Sequence, residues 1–317
     1  MDPQLQERLM IYGGFIPGVV SLILMIAVWY IHAFKESRVD HSEEDGDRTA
    51  SQGPRWMLPL MLVVGFAGAD YASNDIFHLW PDGNNYRFVH AIALIALVGI
   101  LEGVVSLPML VAFGFRFIAY AGAFWMLAEG YVDQVFGGTP VFVGSTLFAA
   151  LSAALISTSI DRNSDDTPAW VDSITWIVIA GASMPILLHN HFSIGAMIPA
   201  GIIAVLVSTL FTGLIFRGLR LSRGGVTVLV GFMMTMLAGS IVQTGADYLT
   251  PVMLMGLAPI VTLIPMKTPS GVRRLIARLI LLAVVLGSAG GVLYWSMSAD
   301  QQGESEIDPY ADYEMDS

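Results

Sequence analysis

The chain has 317 residues, 55% of them hydrophobic and only 13% charged, with a mean hydropathy of +0.67 and a formal charge of −11. A soluble domain carries about a quarter charged residues, so an ordinary soluble enzyme or binding module is excluded, and with no basic tract nucleic acid is not expected as a partner. Cysteine is absent, which removes disulfides and thiolate metal sites.

Residues 140–160 and 173–188 contain no charge at all, and each window approaches the ~20 residues a helix needs to cross a bilayer core. The apolar runs are continuous rather than alternating, which predicts helices and not a β-barrel. In chain order the spans are predicted at 11–34, 56–72, 88–107, 110–132, 141–160, 173–190, 193–216, 226–246, 250–266 and 276–297. The fold class is therefore an all-α, polytopic membrane bundle of about ten helices, with the lipid bilayer as its first partner. The opening MDPQLQERLM is net acidic and the first span ends in FKESR with no small-residue cleavage site, so a removed signal peptide is not expected. The loop 35–55 is the longest and most polar. Residues 299–317 hold seven acids and no base, which reads as a disordered acidic tail after a single membrane domain 1–298.

Lys and Arg accumulate on the side of a membrane protein that stays cytoplasmic. With ten spans the odd loops hold Lys35, Arg38, Arg48, Arg55, Arg162, Arg217, Arg220, Arg223, Lys267, Arg273, Arg274 and Arg278, whereas the even loops and termini hold only Arg8 and Arg87. This asymmetry puts both termini outside, and the expected location is the cytoplasmic membrane of a prokaryote. It also favours splitting 88–132 at Pro108 into two crossings, because a single crossing would set the first loop's bases against the rest.

Ionisable groups at membrane depth are costly and mark candidate sites. Glu102 lies six residues before Pro108 and Arg116 eight after it, so on adjacent antiparallel helices both fall roughly 9–12 Å from the turn. One reading is a structural ion pair, since either charge alone would be expensive to bury; the other is an anion or proton site with Arg116 as the fixed positive charge. On the outer side, His78, His90, His189 and His191 accompany several acids, and imidazole with carboxylate suits zinc or a similar divalent ion. The plainer reading is polar residues in wet loops, and residues two apart, as in HNH at 189–191, converge only in an irregular turn. No HExxH, GxSxG, Walker or GxGxxG pattern is present, nor a haem or quinone tract, so no cofactor is expected. Trp29, Trp56, Trp80, Trp170 and Trp295 fall near span ends, as in an aromatic belt.

The letters GADY close the second span at Gly68–Tyr71 and recur at Gly245–Tyr248. Without a gap, Gly13, Ile16, Pro17, Leu24, Phe34 and Arg38 meet Gly195, Ile198, Pro199, Leu206, Phe216 and Arg220. Spans 1–4 and 7–10 are thereby expected to form a parallel internal repeat, with Asp70 and Asp247 as equivalent acids near the outer mouth. Small-residue pairs at Gly14/Gly18, Gly99/Gly103 and Gly287/Gly291 are expected to let helices approach closely. The leading functional expectation is a transporter-like protein for a small molecule or ion, with Asp70, Asp247, Glu102 and Arg116 as candidate binding residues. An integral membrane enzyme using the outer His and Asp groups, or an assembly scaffold, are the alternatives.

Overall fold

The computed structural model describes residues 7–39, 54–74, 87–164, 167–189, 193–216, 219–244, 258–263 and 271–305. They are all-α, with no strand among them. A π-helical turn, Leu9–Phe15, leads into α1 (Ile16–Val39). Pro17 accounts for it. A proline has no N–H for the carbonyl four residues back and its ring crowds that carbonyl, so the turn before it widens. The amide of Ile16 accordingly donates to the carbonyl of Ile11, five residues back.

The following helices are α2 (Met57–Asn74), α3 (Arg87–Val104), α4 (Met109–Ala128), α5 (Thr139–Ser164), α6 (Ala169–His189), α7 (Ser193–Ile215), α8 (Arg223–Thr244) and α9 (Gly271–Ser305). Among the described residues eight helices are long and apolar enough to cross a membrane, and α2 adds a shorter apolar stretch, Met57–Ala72. Pro108 does divide its segment, standing as the residue before α4 in an extended conformation that α3 cannot continue through. Helix α6 starts at Ala169, earlier than the span predicted at 173–190, because an acid in a helix's first turn meets the positive end of the helix dipole and Asp172 is taken into the helix. Most of the ninth predicted span, 250–266, lies outside the described residues, as do Asp247, His78 and His191.

Helix α8 is the centre of the bundle, with 89% of its apolar window buried, and it packs on α2, α3, α4, α5 and α6. Two crossings are close enough to require glycine. A Cβ on Gly65 would lie 2.6 Å from the carbonyl oxygen of Gly201, and one on Gly99 would lie 2.8 Å from that of Gly224. The first joins α2 to α7 and the second joins α3 to α8. Gly103 meets the backbone of Arg55 and Trp56, so the Gly99/Gly103 pair is a packing face as expected, while Gly287 and Gly291 meet no described atom within 4 Å.

The packing that a parallel repeat calls for is not found among the described helices. A two-fold relation would lay α8 on α1 as α2 lies on α7; instead α8 lies along α3 and makes no comparable contact with α1. The residues explain the difference. In the proposed alignment Gly65 meets Val242 and Gly201 meets Val19, so the equivalent crossing of α8 on α1 would have valines where the α2–α7 crossing has glycines.

The connections gather by charge. The amide of Ala169 donates to the carbonyl of Leu219 (3.0 Å), Gly271 packs on Trp170, and Gly103 on Trp56. One end of the bundle therefore carries Arg55, Arg220, Arg223, Arg274 and Arg278 together. At the far end of α3, Arg87, one of the two exceptions to the charge asymmetry, pairs with Glu129 at 3.1 Å.

Candidate functional site

Glu102 and Arg116 do meet. The close crossing of α3 on α8 presents Gly99, Glu102 and Gly103 on one helical face, and Arg223 and Thr227, four apart, on the face opposite. Arg116 reaches across from α4. Its Nε donates to Glu102 Oε1 at 2.9 Å and its Nη2 to Oε2 at 2.8 Å, a forked pair, and Thr227 Oγ1 donates to Glu102 Oε2 at 2.7 Å. Tyr120, one turn further along α4, donates its hydroxyl to the carbonyl of Thr227 at 2.9 Å and so holds α4 to α8.

The pair is part of a longer chain of charges. Arg116 also donates to Asp161 Oδ2 at 3.2 Å and to Thr158 Oγ1 at 3.2 Å, both on α5. The same Asp161 oxygen lies 2.9 Å from Arg223 Nε, and Arg223 Nη1 donates to the carbonyl of Leu107 at 2.7 Å. Side-chain exposure rises along the chain: 0% for Glu102 and Arg116, 7% for Asp161 and 26% for Arg223. The sealed pair is thus linked, through hydrogen bonds to Asp161 and the Asp161–Arg223 ion pair, to a partly wet arginine.

That wet end opens on a cavity of ≈ 130 Å³. Asp161 and Arg223 form part of its wall, with Arg55 and Arg220, and Met25, Trp29, Met57 and Leu221 supply apolar surface. Trp29, expected in the aromatic belt, is instead buried and stacked on Phe216 with ring centres 5.8 Å apart. Its flat face is worth more against the ring of Phe216, just past the end of α7, than at the bilayer interface.

A second buried pair stands nearby. Arg278 on α9 donates through Nη1 to Asp172 Oδ1 on α6, and through Nη2 to the carbonyl of Thr262 at 3.2 Å. Arg220 and Arg274 lie close enough to act on the Asp172 carboxylate as well. Asp161 and Asp172 were not among the sequence-derived candidates because each sits at the margin of its apolar run. Spacing held a signal for Asp161, which follows Thr158 by three residues and so shares its face. Asp161 in the last turn of α5 and Arg223 in the first turn of α8 also carry the charge their helix ends disfavour, a local conflict removed by pairing them.

The remaining candidates are spread out. Asp70 is buried in α2, fourteen residues beyond Trp56 and hence ~20 Å along the helix from the arginine-bearing end. His90 is half-buried in the first turn of α3, and His189 closes α6. Among the described residues no three His, Asp or Glu side chains gather as a metal site.

Fold and buried charges together define a multi-pass integral membrane protein. No family model, curated protein or solved structure matches the chain.

Proposed function

We propose that this is a transporter-like membrane protein that admits a small ion at the arginine-bearing end of the bundle. The observation that carries the reading is the graded chain from the sealed Glu102–Arg116 pair through Asp161 to Arg223 on the cavity wall. Charge buried in a membrane bundle is expensive, and its continuity with a cavity is what an ion path requires. The volume decides the size class: drug-sized ligands occupy about 300–1,000 Å³, so ≈ 130 Å³ suits an ion with a few waters and not a large solute. The clustered arginines support a cytoplasmic position for this end. Asp70, buried toward the other end, is the acid in position to serve the opposite mouth; Asp247 lies outside the described residues. Asp70 on one side, and Glu102 with Arg116 on the other, thereby become two ends of one path.

A purely structural role is the second reading. It is favoured by the partners of Arg116, each of whose three guanidinium nitrogens donates to Glu102, Asp161 or Thr158. The two readings separate in proteoliposomes. Currents on a solid-supported membrane are recorded while gradients of protons, inorganic cations, phosphate and small carboxylates are imposed in turn. Transport requires a current that Asp161→Asn reduces at least tenfold while the protein remains folded. Absence of current under every gradient refutes it and leaves the structural role.

A further inference from the structure

We propose that the Asp161–Arg223 ion pair is a gate: closed, it divides the cavity from the sealed Glu102–Arg116 pair, and opened, it admits water to that pair. The gate regulates the site described above, and its role in transport rests on that reading. Position is the first argument. Of the four charged groups in the chain, only Asp161 and Arg223 line the cavity, while Glu102 and Arg116 have no exposed side-chain surface. The two wall residues come from different parts of the bundle, Asp161 from the last turn of α5 and Arg223 from the first residue of α8. Arg223 also holds a third element, since its Nη1 donates to the carbonyl of Leu107 at 2.7 Å, just before the Pro108 that precedes α4. One side chain thereby closes the gap among α5, α8 and the α3–α4 turn.

The second argument is which joint yields. Asp161 Oδ2 is divided between two guanidiniums, at 2.9 Å from Arg223 Nε and 3.2 Å from Arg116 Nη2. When Arg223 turns away, Asp161 keeps Arg116, and Arg223 keeps the Leu107 carbonyl and its contact with solvent. No buried charge loses its last partner. Separating Glu102 from Arg116 instead leaves a sealed carboxylate with one hydroxyl for company, which is the costly case. Thr227 is suited to the same movement. Its hydroxyl donates to Glu102 Oε2 at 2.7 Å, and the Arg223 carbonyl stands 3.3 Å away as its other acceptor. Once water reaches Glu102, the hydroxyl has that carbonyl to turn to. The third argument is what cannot move. α3 and α8 cross with a Cβ on Gly99 only 2.8 Å from the Gly224 carbonyl oxygen, and Ser222 Oγ accepts from the Gly225 amide at 3.2 Å. The backbone beneath Arg223 is held, so opening is a rotamer change of a long, partly wet side chain.

Cysteine accessibility tests the gate without a transport assay. The chain has no cysteine of its own, so Thr227→Cys places one thiol beside Glu102. Thr235→Cys places another further along α8, at a position just as buried. Reaction rates with a small water-soluble methanethiosulfonate are measured on the full-length protein in nanodiscs. Both thiols should react slowly in the parent. Asp161→Asn and Arg223→Gln should each accelerate Thr227→Cys by about tenfold or more, the scale of one lost hydrogen bond to a charged group, and leave Thr235→Cys unchanged. The two variants change the local charge in opposite directions, so a shared acceleration is not attraction of the reagent. Arg223→Lys keeps a cation opposite Asp161 and should restore slow reaction. Fast reaction of Thr227→Cys in the parent, no acceleration in the neutralised variants, equal acceleration of Thr235→Cys, or Arg223→Lys as fast as Arg223→Gln overturns the proposal. Protection that depends on the pair, without current under any gradient, removes transport and leaves the gate; current without that protection removes the gate alone.

Discussion

Removing Arg116 should cost more than removing Glu102, and removing both should cost less than the sum. In Arg116→Met, Glu102 keeps one hydrogen bond, from Thr227, in a site with no solvent, while Asp161 keeps Arg223. An uncompensated buried charge of this kind costs about 3–5 kcal/mol. In Glu102→Gln the guanidinium still has Asp161 at 3.2 Å and Thr158 at 3.2 Å. The loss is then closer to the 1.5–3 kcal/mol (roughly) of a hydrogen bond to a charged group. The double variant contains neither orphan and should fall short of the summed singles by about 2–3 kcal/mol, at the upper end for residues in direct contact. Equilibrium unfolding of the four proteins by dodecyl sulfate in mixed micelles, read by tryptophan fluorescence, supplies the cycle. Additivity within about 0.5 kcal/mol would mean the two groups do not interact. The reverse order, with Glu102→Gln the worse single change, would refute the share of Arg116 assigned to Asp161.

The other predictions use the same unfolding assay or simple labelling. Gly65→Ala drives a methyl into the carbonyl of Gly201 and should cost about 1–3 kcal/mol, whereas Gly114→Ala meets no described atom within 4 Å and should be neutral or stabilising by up to about 1 kcal/mol; equal effects would sink the account of the α2–α7 crossing. Asp172→Asn should loosen α9, which packs on α6 and on the Thr262 segment among the described residues. Because the chain has no cysteine, a single one placed at buried Leu282 reports this, and unchanged maleimide reactivity would count against the Asp172–Arg278 clamp. A reporter fused after Ser317 should behave as extracytoplasmic if the arginine-bearing end is cytoplasmic; a cytoplasmic signal would reverse the orientation.

The sequence by itself determined the class, because long uncharged runs have one stable arrangement, the helix in a bilayer. It also located the Glu102–Arg116 pair: Pro108 sets a turn, and counting equal distances from that turn puts two opposite charges at one depth. Both inferences depend on local chain geometry. What lay beyond local geometry only the tertiary structure decided. Asp161 joins Arg116 from 45 residues away and Arg223 joins Asp161 from α8, and nothing in the periodicity of either helix says which neighbour it faces. The repeat shows the same limit from the other side. Matching letters at Gly13–Arg38 and Gly195–Arg220 suggested related halves, but helix contacts are chosen by the small residues at each crossing, and Gly65 and Gly201 have valines in their places. Sequence reports what each helix can bury; which helix it is buried against depends on surfaces brought together from distant parts of the chain.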